Sequence, residues 1–280
     1  MTTICICGAG TMGSGIAQVS ATAGFKTILY DVSEEIIQKA KGKIEKDLQT
    51  LADRKKITPE KKETILRQFV FTSHIHDCIA DIVMEAVIEK IEIKISLFNQ
   101  LVKLNSDETI FATNTSSLSV SAIAKEIIKP ERVAGLHFFN PAPIMKLVEI
   151  VKAEQTSDET IHKLVELTKT FGKTPVVCKD APGFIVNRVA RPYYIESLRL
   201  AEEGLVSFDT IDRLLESKGF KMGPFKLMDL IGNDVNYAVS CSVYEQLNQP
   251  ERLKPSFIQK EKVEKGELGK KTGKGYYNYK

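Results

Sequence analysis

A histidine and a glutamate, His137 and Glu149, flank the proline-rich segment Asn140-Pro-Ala-Pro143. An imidazole that gives one N–H to a carboxylate presents its second nitrogen as a proton acceptor. The carboxylate meanwhile fixes the tautomer and stabilises the imidazolium once it forms. Such a pair suits general acid–base chemistry if the chain brings its members together. The flanking residues predict that it does: 133–137 and 147–151 are rich in alternating, β-branched apolar residues and read as strands, and the prolines between them turn the chain back. On their own, His137 and Glu149 fit a hydrogen-bonded core histidine beside a strand-end charge better, so the remaining chain has to decide.

A second constellation lies at the N-terminus. The apolar strand Thr3-Ile-Cys-Ile-Cys7 runs into Gly8-Ala-Gly10-Thr11-Met12-Gly13 and then into a helical pattern from Ile16. Strand, glycine turn and helix start in that order form a dinucleotide-binding fingerprint. Gly8 permits the turn, Gly10 lets a pyrophosphate approach the backbone, Gly13 lets helix and strand pack closely, and the helix N-terminus faces the phosphate charge. A second strand, 25–30, ends at Asp31, 18 residues beyond Gly13. A carboxylate there can accept from both ribose hydroxyls and repels a 2′-phosphate, and Val32 adds no cation, so the expected cofactor is NAD rather than NADP.

These residues must be positioned by an alternating α/β chain. Strands are predicted at 82–87, 109–112, 133–137, 147–151 and 174–178, with helices at 88–104, 118–126 and 158–171. Ligands in open α/β sheets bind at the carboxyl ends of the strands, which puts Glu89, Asn114 and Ser116 at the mouth of the cleft. Ser116 also reads as a plain cap for the helix that follows. Helices at 33–51 and 59–68 flank a basic run, Arg54, Lys55, Lys56, Lys61 and Lys62, which is either a solvated helix pair or a cationic lid for a phosphorylated substrate. Asp180 reads as an N-cap with Pro182 in the first helical turn, and strands vanish beyond it. The expected architecture is a Rossmann-type, mostly parallel sheet domain (1–181) with a basic helical insertion, then a smaller all-α domain (182–280) that completes the cleft. Asn187, near the start of the first long helix there, is either an ordinary helix-face amide or a group reaching the cleft. Asp209, Asp212, Asp229 and Asp234 read as caps and solvated faces.

Composition narrows the function classes. Hydrophobic content of 43%, charged content of 27% and a net charge of +3 over 280 residues give no bulk electrostatic support for a nucleic-acid or membrane partner. No apolar run approaches membrane-spanning length. The odd cysteine count and long spacings of Cys5, Cys7, Cys78, Cys178 and Cys241 argue for reduced thiols and a cytoplasmic setting. His74 and His76 sit beside Asp77 and Cys78 without a further ligand cluster in sequence, so no metal is expected.

Taken in order, Gly8-Ala-Gly-Thr-Met-Gly13, Asn114-Thr-Ser116-Ser, His137-Phe-Phe-Asn-Pro-Ala142, Glu149, Asp180-Ala-Pro-Gly-Phe-Ile-Val-Asn-Arg188 and the C-terminal Lys270-Lys-Thr-Gly-Lys-Gly-Tyr-Tyr277 resemble the short-chain bacterial L-3-hydroxyacyl-CoA dehydrogenases over nearly the whole chain. The resemblance implies an NAD-dependent oxidoreductase acting on 3-hydroxyacyl-CoA, with 3-hydroxybutyryl-CoA the first expectation and 3-hydroxyadipyl-CoA or a longer acyl chain the alternative. It implies His137 as base, Glu149 as its partner, and Ser116 and Asn187 at the reacting oxygen. Glu89, Lys94 and Asn114 fall near the cofactor, Asn140 shapes the pocket, Lys56 contacts CoA, and the protein is a homodimer. Gly232-Asn233-Asp234 departs from the family, which usually places an apolar residue between Gly and Asp; packing or a subunit contact is where that should be felt. A non-catalytic NAD-binding protein and a nucleic-acid binder using the basic run are the competing classes. Joint retention of His137, Glu149, Ser116 and Asn187 speaks against the first.

Overall fold

The computed structural model describes residues 2–279, which divide into two compact units between Asp180 and Ala181. The first opens with strand β1 (Thr3–Cys7), helix α1 (Thr11–Thr22), β2 (Lys26–Tyr30) and the helices α2 (Glu34–Asp53) and α3 (Pro59–Leu66). It continues through β3 (Phe69–Thr72), β4 (Ile82–Glu85), α4 (Ile91–Val102), β5 (Ile110–Thr113) and the short α5 (Val120–Ala124). β6 (Val133–Phe138), β7 (Leu147–Lys152), α6 (Asp158–Thr170) and β8 (Thr174–Lys179) complete it. One eight-stranded sheet runs β3-β2-β1-β4-β5-β6-β7-β8 and is parallel except at β6–β7. The order reverses between β1 and β4, the switch point at which such sheets bind ligands.

Local chemistry explains the elements that frame the site. α2 buries Ile37, Ala40, Ile44 and Leu48 on one stripe, is capped by Ser33, and carries Glu34 and Glu35 in its first turn, where the helix dipole favours acids. Ile4 and Ile6 of β1 meet Ile16, Ala17 and that stripe in the main core. β3 was not expected from sequence: it is four residues long, and pairs in parallel with the outer side of β2. α4 starts at Ile91, later than expected, because the peptide N–H of Val87 turns back to the Glu85 carboxylate at 2.7 Å.

The second unit is helical: α7 (Val186–Glu202), α8 (Phe208–Ser217), α9 (Pro224–Ile231), α10 (Asn233–Gln246) and α11 (Phe257–Glu264). α7 begins at Val186 rather than Gly183, because Gly183 and Phe184 have φ of +72° and +48° and a right-handed helix cannot contain them. Asp212 and Asp229 are buried, which corrects the solvated-face part of their reading, while the cap part holds for Asp212. Asp212 accepts from the Phe225 and Lys226 N–H groups at 2.9 and 3.0 Å and so caps α9 from α8. Asp229 accepts from the N–H groups of Tyr276 and Tyr277 and from the Tyr279 hydroxyl, stapling the C-terminal segment down. Asn233, the departure from the family pattern, is buried and donates to Asp229 at 2.9 Å, so it belongs to this internal network. Arg191 ties α7 to α10 through the Asn236 carbonyl and the Ser240 hydroxyl, and burial draws its pKa down to about 10.

Candidate active site

The glycine turn is built by close approach. Gly8 has φ +101°, and a Cβ on Gly13 would lie 1.7 Å from the Gly8 carbonyl oxygen, so no side chain fits there. Nothing lies within 4 Å of a Cβ on Gly10. α1 has no side-chain cap and no acid in its first turn, which carries Thr11, Met12 and Gly13, so its N-terminal dipole is left for a ligand anion. These features fit a dinucleotide pyrophosphate. Asp31, just past β2, accepts from the Ala9 N–H through Oδ2 at 2.9 Å and from the Ser33 N–H through Oδ1 at 3.1 Å. It therefore ties the turn to the second strand while each oxygen keeps a further acceptor direction.

At the carboxyl ends of the next strands lies an ion cluster only partly legible in sequence. Lys94, 1% exposed, reaches from α4 to Glu85 at 2.6 Å and to Glu89 at 3.1 Å. Glu85 is fully buried and also accepts from the Thr113 hydroxyl at 2.7 Å. Burial would raise the Glu89 carboxyl, but the Lys94 ammonium, the Thr115 hydroxyl and the Ser116 N–H outweigh it and hold the group below the usual carboxylate range. Glu89 thereby shapes the 115–117 loop. Ser116 is consequently not the cap of the following helix: its N–H lies on Glu89 at 3.0 Å, and Ser119 caps α5. Asp180, expected as the cap of the second unit's first helix, instead accepts from the Ser119 hydroxyl and the Ser121 N–H, both at 2.8 Å, at the N-terminus of α5.

His137 and Glu149 stand opposite each other in the antiparallel β6–β7 pair. Nδ1 of His137 lies 2.8 Å from Oε2 of Glu149, with the residues 5% and 0% exposed. The direct register pair points both side chains to one face. Phe139 packs on the imidazole with ring centroids 4.5 Å apart. Asn114 accepts from the Phe138 N–H at 2.8 Å, joining the end of β5 to the residue after His137. Glu89, Lys94, Asn114, Ser116, His137 and Glu149 are thus linked at one end of the sheet, beside a glycine turn that abuts the Ala86 backbone.

Asn140, Lys56 and Asn187 stand on other elements. Asn140 is exposed at the start of the turn, and Lys56 is exposed just after α2. Asn187 is half-buried in the first turn of α7, in the second unit, where its carbonyl accepts from Arg191 Nε at 2.9 Å. His74 and His76 are exposed. Cys78 does have partners, though not those histidines: its sulfur and those of Cys5 and Cys7 all lie within 4.8 Å of one another, buried and unoxidised. Sequence reasoning also missed Lys173. It is 8% exposed and donates to the carbonyls of Ala142, Pro143 and Met145 at 2.6, 3.2 and 2.8 Å.

Comparison with known proteins places both halves of the chain in one family. Residues 3–181 match the NAD binding domain of 3-hydroxyacyl-CoA dehydrogenase, and residues 183–279 match its C-terminal domain. The chain is 49% identical over 279 residues to the 3-hydroxyadipyl-CoA dehydrogenase of Escherichia coli K12, covering 99% of this chain but 59% of that protein's length. It is 38% identical to a probable 3-hydroxybutyryl-CoA dehydrogenase of Deinococcus radiodurans, covering 98% of this chain and 99% of the relative. The crystal structure of (S)-3-hydroxybutyryl-CoA dehydrogenase from Ralstonia eutropha superimposes with a TM-score of 0.95 at 35% identity, covering 100% of this chain and 99% of that one. With both halves of the chain matched in order, the protein belongs to the 3-hydroxyacyl-CoA dehydrogenase family, its first unit an NAD-binding domain.

Proposed function

We propose that the chain interconverts (S)-3-hydroxybutyryl-CoA and acetoacetyl-CoA with NAD, His137 acting as general base in oxidation and general acid in reduction. The observation that carries this reading is the 2.8 Å contact between His137 Nδ1 and the buried Glu149 carboxylate. With that carboxylate on Nδ1, Nε2 takes the proton of the substrate hydroxyl, and the imidazolium that forms is stabilised where water is excluded. A nicotinamide held at the glycine turn and Asp31 would supply the hydride acceptor, or donor, for C3. Ser116 and Asn187 hold the reacting oxygen, Asn140 borders the acyl pocket and Lys56 meets the CoA phosphates. Glu89, Lys94 and Asn114 order the cofactor side of the site through the bonds described above.

The test follows acetoacetyl-CoA-dependent loss of NADH absorbance in His137→Gln and Glu149→Gln variants. Loss of turnover by ~10²–10⁴-fold in His137→Gln, with NADH affinity retained, is the expected result. Full turnover in His137→Gln removes the base assignment. The second reading, 3-hydroxyadipyl-CoA as substrate, is favoured by the 49% identity to the Escherichia coli enzyme of that name. A panel of straight-chain and dicarboxylic acyl-CoAs ranks the two. Cytoplasmic location is supported by the five free cysteines. A homodimer is supported by the exposed Leu214, Phe220, Leu230, Ile231 and Val235 of the second unit; light scattering in solution checks it.

A further inference from the structure

Lys173 lies between α6 and β8, and its three carbonyl partners belong to one short stretch of chain. Its ammonium has three N–H donors, and they meet the carbonyls of Ala142, Pro143 and Met145. Burial, reinforced by the nearby Lys146 ammonium, pushes its pKa below the ordinary lysine value. Those carbonyls belong to the turn that carries the chain from His137 round to Glu149. The turn has little core of its own: Ala142 is buried, whereas Pro141, Pro143, Ile144 and Met145 are exposed. Its other side rests on the dinucleotide helix, where a Cβ on Gly15 would come within 3.2 Å of the Ala142 side chain and 3.3 Å of Pro143 Cδ. The turn is therefore gripped from two directions: Lys173 draws its carbonyls inward, and the bare backbone at Gly15 gives it a seat on α1.

We propose that Lys173 is a positioning residue that clamps this turn onto the dinucleotide helix and thereby fixes how far the His137 imidazole stands from the bound nicotinamide. The inference rests on the reading of His137 as the base. Its physical basis is that proton and hydride transfer demand near-attack geometry, and a misplacement of ~1 Å costs on the order of 10²-fold in rate. A side chain that touches neither substrate nor cofactor can then act on turnover through the turn alone. The expected signature is a fall in kcat without a matching loss of cofactor affinity.

The experiment compares Lys173→Met, Lys173→Arg, Gly15→Ala and the Lys173→Met/Gly15→Ala double variant, each checked for fold by circular dichroism. His137→Gln is run alongside. Lys173→Met should lose roughly 10–100-fold in kcat with the NADH dissociation constant within about two-fold, and Lys173→Arg, which keeps donors, should recover part of the loss. Gly15→Ala should lower kcat by pushing the same turn from its other side, and the double variant should lose less than the product of the single losses, because both act on one element. Unchanged kcat in Lys173→Met overturns the proposal. So does a parallel loss of kcat and NADH affinity, no recovery in Lys173→Arg, or full additivity with Gly15→Ala. If Lys173→Met does not fold, Lys173→Arg and Gly15→Ala carry the test: full kcat in both overturns the clamp. Full turnover in His137→Gln removes the base reading itself, whereas loss there with full turnover in Lys173→Met overturns only the clamp.

Discussion

Two buried lysines in the first unit solve the same electrostatic problem differently. Lys94 pairs with carboxylates, Glu85 at 2.6 Å and Glu89 at 3.1 Å, and Glu85 is as deeply buried as the lysine. Lys173 is held by the carbonyl dipoles of a turn. A charge set against a buried charge cannot be removed singly, because its partner then stands uncompensated in a low dielectric. A charge set against carbonyls at a rim can be removed more cheaply, because two of the three carbonyls, those of Pro143 and Met145, belong to exposed residues that can turn to water. Lys94 is thus tied to the integrity of the sheet end, and Lys173 to the placement of one loop.

The largest effect that would break this comparison is on Lys94. Lys94→Met should destabilise the protein by about 3–5 kcal/mol in denaturant unfolding, and Lys94→Met/Glu85→Leu should regain much of that loss, since both ends of the pair are then gone. A single variant with wild-type stability would mean that Glu85 does not depend on the ammonium. Lys173→Met should cost only about 1 kcal/mol, because lost hydrogen bonds are offset by no longer burying a charge. A loss as large as that of Lys94→Met would make the two lysines equivalent. The smallest effect is a pH dependence. Glu89 is held below its unfolded value, so its carboxylate stabilises the fold above that unfolded value and loses this contribution as pH falls through the folded one. Glu89→Gln should therefore flatten the acid limb of stability below about pH 4.3 and leave the neutral-to-alkaline region unchanged in shape. An identical acid limb in the variant would detach Glu89 from Lys94 energetically. The effect is small because the Glu89 side chain is 38% exposed.

Sequence reached some of these features and not others, for identifiable reasons. The glycine turn and the His137–Glu149 register were legible because both are local: a strand, a turn of definite chemistry and a following element constrain each other within a few residues. Asp180 was misread as a local cap, and a cap stayed open as one alternative for Ser116, because their partners are remote. Thr115, Ser116, Ser117 and Ser119 all have cap chemistry, and Glu89 and Asp180 determine which of them ends up at α5. Lys94 and Lys173 carry no local sign of their burial, since a lysine in a helix or loop is ordinarily solvated. β3 escaped notice because its four residues follow a charged helix and gain strand character only against β2. The burial of Asp212 and Asp229 was hidden because the tyrosines and the α9 N-terminus that receive them come later in the chain.

The sulfur trio beneath the glycine turn makes the sheet its own reporter. Cys5, Cys7 and Cys78 have no exposed surface, whereas Cys178 and Cys241 are partly accessible. A thiol-reactive dye offered to the native protein should reach two sites without unfolding and three only as fast as the central strands part, so the slow phase measures opening at the heart of the nucleotide fold. Strengthening that opening barrier with NADH would slow those three sites and leave the other two untouched.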